Sequence, residues 1–301
     1  MVKEAKEPAG TASRRRRGRR VRIVFWLVLT AVILVLGGRR LLSEELEVSF
    51  YHLYSPKIVG AESVRAVVLS DLHNREFGPG NRELTRQITA LEPDLILIAG
   101  DMVNADDENL DIVLNLCRAL VEIAPVYYSP GNHESNLMYE QDSPLESLLT
   151  ECGVHFLVTW SEETVVGKTP FLIGGLNTSP EGFSEYGAAF MEEYQQSAAF
   201  KLLISHYPSL YYNALADAEI DLAVCGHFHG GQVRLPVLGG LYHVDTGFFP
   251  QYSGGMYQLS RAAVFVSRGM GGHSPFPRVN NRPELAVIDI NGRQDATPRQ
   301  S

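Results

Sequence analysis

The chain has 301 residues, 45% hydrophobic and 20% charged, which is typical of a globular protein and unlike a collagen-like, coiled-coil or disordered chain. Its net charge of −9 is unevenly spread: residues 1–40 carry eleven Lys or Arg against two Asp or Glu, and residues 41–301 carry fifteen against thirty-three. Because nucleic-acid binding depends on positive charge, the acidic body disfavours a nucleic-acid partner.

The N-terminal segment predicts a membrane anchor. Residues 14–22 read RRRRGRRVR, and residues 23–38 then contain no charged residue. This run is slightly shorter than the roughly 20 residues of a full span, and Leu41 and Leu42 extend it. The positive-inside tendency predicts a cytoplasmic tail (1–22), a single-pass anchor in the cell membrane (23–42) and an acidic domain on the outer face. A signal peptide cleaved after Gly37-Gly38 is the alternative.

Residues 43–62 are interpreted as a linker, and alternating strands and helices follow it. Helices are predicted after Asn81, at 110–123 and near 210–216, and further strands at 241–245, 262–266 and 285–290. Five apolar strands, each ending in a short polar motif, are predicted at 63–70, 94–99, 126–129, 201–205 and 221–225. This order favours an α/β fold with layered, mixed sheets.

The polar motifs predict one shared site, because ligands bind at the common edge formed by strand ends in layered α/β folds. The side chains expected to converge are Asp71, His73, Asp101, Asn132, His133, His206, His227 and His229. Carboxylate, imidazole and amide ligands suit manganese, iron or zinc. The set is too large for a single tetrahedral ion. It is large enough for two ions about 3.5–4 Å apart, which would clamp a phosphoryl group and hold a hydroxide in line with it.

The ordered motifs D-x-H, G-D, G-N-H-E, a lone His and G-H-x-H resemble those of the calcineurin-like metallophosphoesterases. The resemblance extends from residue 64 to about 290. The runs GHFHGGQVRLP, SRGMGG and RPELAVIDI are similar to the bacterial membrane-associated branch of that family. The resemblance implies a four-layer α/β/β/α sandwich over residues 63–301, preceded here by the transmembrane helix.

The resemblance also implies a role for each site residue. Two sets of ligands would each hold one metal ion, and Asp101 would bridge the two ions; the sets are Asp71, His73 and His229, and Asn132, His206 and His227. His133 would stabilise the transition state or protonate the leaving group without binding metal. Apart from the resemblance, Glu134 is expected to support its motif loop, and Arg268 and Asn281 are expected to contact either a substrate phosphate or packing partners. No ligand position departs from the family pattern, which favours an active enzyme.

The predicted function is therefore hydrolysis of a phosphodiester, phosphomonoester or pyrophosphate by a metal-bound hydroxide. The anchor favours a substrate at the membrane, and a lipid-linked one is an option, because one branch of the superfamily cleaves UDP-2,3-diacylglucosamine. The alternatives are a Ser/Thr phosphoprotein phosphatase and a non-catalytic metal-bound scaffold. The motifs specify neither the metal nor the oligomeric state.

Overall fold

The computed structural model describes residues 44–59, 63–107, 109–183, 185–272 and 277–292, together with Arg22 and Trp26. Within these ranges, no helix combines the length and the apolar character needed to cross a bilayer. The predicted anchor lies outside the described residues apart from Trp26, and the predicted basic tail lies outside them apart from Arg22.

Sixteen strands and five α-helices make up the described part of the chain. The helices are α1 (Arg82–Ala90), α2 (Asp111–Val121), α3 (Asn132–Glu140), α4 (Leu145–Glu151) and α5 (Glu185–Tyr194). The strands are β1 (Glu47–Tyr54), β2 (Ser63–Leu69), β3 (Leu95–Ile98), β4 (Val126–Tyr128), β5 (His155–Phe156), β6 (Thr159–Val166), β7 (Thr169–Leu176), β8 (Phe200–Ile204), β9 (Ile220–Cys225), β10 (Arg234–Leu235), β11 (Gly239–Gly240), β12 (Tyr242–His243), β13 (Gly247–Phe248), β14 (Gly255–Gln258), β15 (Ala262–Val266) and β16 (Glu284–Asn291). Short 3-10 helices occur at Pro79–Asn81, Pro208–Tyr212 and His229–Gly231.

Two six-stranded mixed sheets form the centre of the domain. Sheet I has the order β1-β16-β2-β3-β4-β5, with β2 to β5 parallel and β16 antiparallel to β2. Sheet II has the order β14-β15-β9-β8-β7-β6, with a parallel centre and an antiparallel strand at each edge. The prediction of mixed α/β sheets is confirmed.

Three buried apolar clusters separate four layers of secondary structure. Because side chains alternate along a strand, Val67 and Leu69 of β2 face α1 and α2, whereas Val68 faces sheet II. Phe171 of β7 meets Val68 in the cluster between the sheets, and Leu172 faces the cluster around α5. The layers are therefore helices, sheet I, sheet II and helix, with each fully buried aliphatic side chain contributing about 1.5–3 kcal/mol.

The segment interpreted as a linker contains a strand, which corrects the sequence-based prediction. Strand β1 pairs in parallel with β16 over its whole length and forms an edge of sheet I. Tyr51 and Leu53 are only partly buried against the core between the sheets, and Phe50 and Tyr54 are exposed. Because edge strands are half-solvated, their apolar pattern is weak, and β1 resembled a connecting segment.

Two other predicted elements are shorter than expected. The helix predicted near 210–216 is a 3-10 helix at Pro208–Tyr212, and the strand predicted at 241–245 is limited to Tyr242–His243. Asn81 precedes α1 as predicted. Its side chain, however, accepts a hydrogen bond from the Phe77 backbone (2.9 Å) and does not cap the helix.

Candidate metal centre

The predicted site residues follow β2, β3, β4, β8 and β9, at the carboxyl ends of strands from both sheets. Five of them have left-handed backbone conformations, with φ of 51° at Asp71, 48° at His73, 54° at Asp101, 70° at His227 and 45° at His229. Such conformations cost about 1–3 kcal/mol each for residues other than glycine, and they persist only where surrounding contacts impose them. Two of these contacts are the hydrogen bonds from Asp71 N–H to Gly100 O (2.9 Å) and from His73 N–H to Asp101 O (3.1 Å).

One group of ligand atoms comes from Asp71, His73 and His229, and all three lie within 4.8 Å of one another. The Nε2 atoms of His73 and His229 are 3.3 Å apart, and Asp71 Oδ1 lies 3.6 Å from His229 Nε2. Burial raises the pKa of Asp71 to about 7, with the charge of Asp101 adding to the effect and that of His206 opposing it. A bound cation at this position would favour the ionised carboxylate.

A second group comes from Asp101, His206 and His227, again within 4.8 Å. His206 Nε2 lies 3.1 Å from Asp101 Oδ2 and 3.2 Å from His227 Nδ1. Burial would lower the pKa of His206, but the charge of Asp101 outweighs it and raises that pKa to about 10. Burial would likewise raise the pKa of Asp101, and His206 holds it below its ordinary range. Asp101 also groups with His73 and His133, so it lies between the two sets of ligands.

Asn132 provides an independent test of whether metal fits this site. It begins α3, and its Oδ1 atom is buried and accepts no hydrogen bond. Leaving a buried amide oxygen without a partner costs about 1–3 kcal/mol, and coordination to a cation would remove that cost. The donor set around Asp101 and the orphaned oxygen of Asn132 therefore fit a centre of two divalent ions.

His133 contacts the site in a way that fixes its tautomer. Its Nδ1 atom accepts a hydrogen bond from the Ala105 backbone N–H (2.8 Å), so the neutral ring carries its proton on Nε2. Nε2 lies 4.0 Å from Asp101 Oδ2, and the His133 backbone N–H donates to Asp101 Oδ1 (3.0 Å). If the ring carried a second proton, on Nδ1, that proton would point at the Ala105 N–H and the hydrogen bond between them would be lost. This arrangement favours His133 as a hydrogen-bond donor to the transition state over His133 as a proton donor.

Glu134 connects the loops that carry the ligands. Its buried carboxylate accepts hydrogen bonds from the N–H groups of Asp101 (2.8 Å), Met102 (2.7 Å) and Gly131 (2.9 Å), and from the Tyr128 hydroxyl (2.5 Å). The loops approach so closely that a Cβ atom on Gly131 would lie 2.3 Å from Asp101 Oδ1. Glycine is therefore required at this position by space.

Two site residues that the motifs did not indicate hold the outer nitrogens of predicted ligands. Asn104 Oδ1 lies 2.9 Å from His73 Nδ1, and Asp245 Oδ2 lies 2.5 Å from His227 Nε2. Such partners fix the orientation of a ligating imidazole ring. Asn104 lies three residues after Asp101, which was a usable signal, but Asp245 has no local motif and comes close only through folding.

Arg268 and Asn281, for which the sequence left substrate contact and packing as alternatives, both bind other parts of the protein. Arg268 binds Glu284 and Glu47 at 2.8 and 2.9 Å, and Asn281 Nδ2 donates to His229 O (2.7 Å), so both support structure. His243, by contrast, lines the cavity, and its ring centroid lies 4.8 Å from that of His227.

A cavity of about 460 Å³ opens over the two ligand groups. Besides the site residues, its wall contains Ser179, Glu181, Tyr207, His243, Val244 and Asp245. Among the described residues that line it there is no Lys or Arg. The nearby Arg278 is buried and donates to the carbonyl oxygens of Arg268 (2.7 Å) and Gly271 (3.1 Å).

Comparison with known proteins identifies the family. Residues 64–231 match the model of the calcineurin-like phosphoesterases, and the chain belongs to that family. It is 26% identical over 239 residues to phosphodiesterase YaeI of Escherichia coli strain K12, covering 76% of this chain and 83% of that protein. It is 24% identical over 261 residues to an uncharacterized metallophosphoesterase of Aquifex aeolicus, covering 82% of this chain and 93% of that protein.

A solved structure of a dimetal phosphatase from Danio rerio is also similar, with 13% identity, a TM-score of 0.41 and coverage of 74% of this chain and 91% of that one. The family match confirms the resemblance seen in the motifs. The chain is a metal-dependent phosphoric ester hydrolase.

Proposed function

We propose that this protein is a membrane-anchored phosphodiesterase that holds two divalent ions and acts on a diester at the membrane surface, with a lipid-linked diester as the favoured substrate. The observation that carries the catalytic part is the convergence of two ligand groups on Asp101, beside the orphaned Oδ1 of Asn132. The anchoring rests on the arginine-rich tail and the apolar run that follows it.

The protein's own residues would divide the work at the site. Bound divalent ions supply Lewis-acid activation of water and of the phosphoryl group. One ion would be held by Asp71, His73 and His229. The other ion would be held by Asn132, His206 and His227. Asp101 would contribute to holding both ions. His133 presents Nε2–H toward the site and would stabilise the negative charge that develops on the phosphoryl oxygens. Manganese, iron and zinc all suit this ligand set.

The charge of the cavity wall favours a diester over a monoester or pyrophosphate. A diester carries one negative charge, whereas a phosphomonoester carries about −1.5 to −2 at neutral pH. Glu181 and Asp245 line the cavity, and no Lys or Arg does so among its described residues. The wall therefore penalises extra negative charge beyond what two ions neutralise. The same reasoning disfavours a phosphoprotein Ser/Thr phosphatase, whose substrate is a monoester.

Hydrolysis of bis-p-nitrophenyl phosphate and of p-nitrophenyl phosphate with manganese tests this proposal. We expect faster turnover of the diester. His133→Ala should lower kcat about 10²–10³-fold without loss of bound metal, because it removes one transition-state donor. Asp101→Ala should lose both metal and activity. His155→Ala is the matched control, since His155 pairs with Glu162 (2.8 Å) outside the site. Faster turnover of the monoester or of a phosphopeptide, or parental activity in both site variants, would contradict the proposal.

A further inference from the structure

Two consecutive hairpins beside the cavity carry exposed apolar side chains, which we call the apolar rim: Val237, Leu238, Val244, Phe248 and Phe249. Val237 is fully exposed, and the others are 50–76% exposed. Single exposed apolar residues are ordinary on a protein surface, but such a cluster marks an interaction site. Val244 also lines the cavity, so the rim borders the entrance to the site.

The backbone of the rim is held in unusual conformations. Val237 has φ of 69° and Phe249 has φ of 56°. Positive φ is uncommon for any residue other than glycine, and it is especially rare for a β-branched residue such as Val237. Hydrogen bonds from Leu241 N–H to Val233 O (2.8 Å) and from Phe249 N–H to Leu241 O (2.9 Å) connect the hairpins. These hydrogen bonds join the two hairpins that carry the apolar side chains.

The start of the described domain lies at the same edge as the rim. Glu44 is bound by Arg75, with Nη1 to Oε2 at 2.6 Å and Nη2 to the carbonyl oxygen at 2.8 Å, and Arg75 follows the predicted ligand His73 by two residues. Segment 278–282 contacts both Glu45, the residue after Glu44, and the first of the two hairpins that carry the rim. In that segment, Arg282 lies 3.8 Å from Glu45, and Asn280 donates to the carbonyl oxygen of Arg234 (3.1 Å) at the base of the first hairpin.

The distance along the chain from the apolar run to this edge is short. Five residues lie between Gly38 and Glu44, and the six Cα–Cα steps from one to the other span at most about 20 Å when fully extended. If residues 23–42 cross the bilayer as proposed, this edge of the domain is held next to the membrane surface. The rim and the cavity entrance then lie on the side of the domain nearest the membrane.

We infer that the apolar rim inserts into the outer surface of the bilayer and that the cavity receives its substrate from the lipid–water boundary. This inference rests on the proposed anchoring. It adds a second membrane contact that the apolar run does not provide, made by hairpins about 200 residues later in the chain. A bilayer suits the rim because its five side chains are uncharged and because the rim lies at the edge where the described domain begins.

Labelling of the full chain in vesicles of phosphatidylethanolamine and phosphatidylglycerol tests the inference. An environment-sensitive fluorophore is attached at Val237→Cys, in a Cys152→Ser background because Cys117 and Cys225 are buried. The matched control is Val165→Cys. Val165 is also a valine and 66% exposed, and it lies near the end of β6, paired with Pro170 at the start of β7 and at the opposite end from the site. We expect a blue shift, and quenching by nitroxide-labelled acyl chains, at position 237 and not at 165.

Each contrary outcome has a defined meaning. Equal response at both positions overturns the inference, and so does a shift at 237 that depends on protein concentration without lipid, which would assign the rim to a second copy of the chain. Failure of the full chain to float with vesicles overturns both the anchoring and the rim contact. Manganese-dependent hydrolysis of bis-p-nitrophenyl phosphate, measured on the same samples, reports on the catalytic proposal separately.

Discussion

At the scale of single residues, the site is built from strained backbone and from partners behind the ligands. Asp71 and His227 both have positive φ, and the His227 N–H donates to Asp71 Oδ1 (2.9 Å), so each conformation supports the other across two sheets. Asp245 binds the outer nitrogen of His227 and directs Nδ1 toward His206. Position and tautomer of the ligands therefore depend on residues that would not touch metal.

Substitution of Asp245 tests this dependence. Asp245→Ala should weaken manganese binding about 10–100-fold, because the His227 ring loses the partner that orients it. Isothermal titration with manganese measures the effect. Glu181→Ala is the matched control, since it removes a carboxylate from the same cavity wall and leaves the His227–Asp245 bond in place. Equal manganese affinity in the parent and in Asp245→Ala would refute the assigned role.

At the scale of elements, the edge strand β1 is joined to the domain by a buried carboxylate. Glu284 of β16 is fully buried and accepts hydrogen bonds from the Tyr51 hydroxyl (2.9 Å), the Arg268 backbone N–H (3.0 Å) and the Arg268 guanidinium (2.8 Å). Arg268 also binds Glu47 in β1 (2.9 Å). Burial would raise the pKa of Glu284, but Arg268 outweighs it and lowers that pKa below the ordinary 4.5.

The lowered pKa of Glu284 predicts a pH-dependent stability. A depressed carboxyl pKa stabilises the fold above the unfolded pKa near 4.5, and this stabilisation is lost as the pH falls through the folded pKa. Glu284→Gln should therefore lower the free energy of unfolding by about 3 kcal/mol at neutral pH, because it leaves Arg268 without its buried partner. The difference in the free energy of unfolding between parent and variant should become smaller below pH 4.5.

Urea denaturation at pH 7 and at lower pH measures this gap. Glu83→Gln removes an exposed pair with Arg86 on α1 and should leave the midpoint unchanged at both pH values. A gap between parent and Glu284→Gln that is constant with pH would show that Glu284 does not titrate as inferred.

At the scale of the whole molecule, the proposed metal centre joins the two sheets. Asp71, Asp101 and Asn132 follow strands of sheet I, whereas His206 and His227 follow strands of sheet II. In the described residues of this region, buried carboxylates and imidazoles face one another across the seam between the sheets. Bound ions would offset these charges, so metal binding and docking of the sheets should be coupled.

Metal removal should therefore destabilise the protein. Ions that bind only the folded state at a thousand times their Kd add about 4 kcal/mol, and the melting temperature should fall on chelation and recover on addition of manganese. Differential scanning calorimetry of the chelated and reloaded protein measures the change. In the His206→Ala variant, the increase in melting temperature on addition of manganese should be largely lost. Identical melting temperatures for the chelated and reloaded parent would exclude the coupling.

The motifs by themselves predicted the family, which the comparison confirms, and the residues that the structure brings together at the candidate site. Asp71, His73, Asp101 and the later histidines follow apolar strands, and the carboxyl ends of parallel strands meet at one edge whatever the loops do. The same local periodicity predicted the five strands that carry the site, since a fully buried strand such as β3 (LILI) is a continuous apolar run. The metal-dependent chemistry followed from the types of ligand.

Only the tertiary structure decided what depends on distant contacts. Strand β1 has a weak apolar pattern and is defined by its pairing with β16, more than 200 residues away. The contact of Asp245 with His227, the tautomer of His133 and the absence of Lys or Arg from the described cavity wall arise where separate loops meet. Local sequence carries periodicity and ligand chemistry, whereas side-chain neighbours across loops are set by how the two sheets pack.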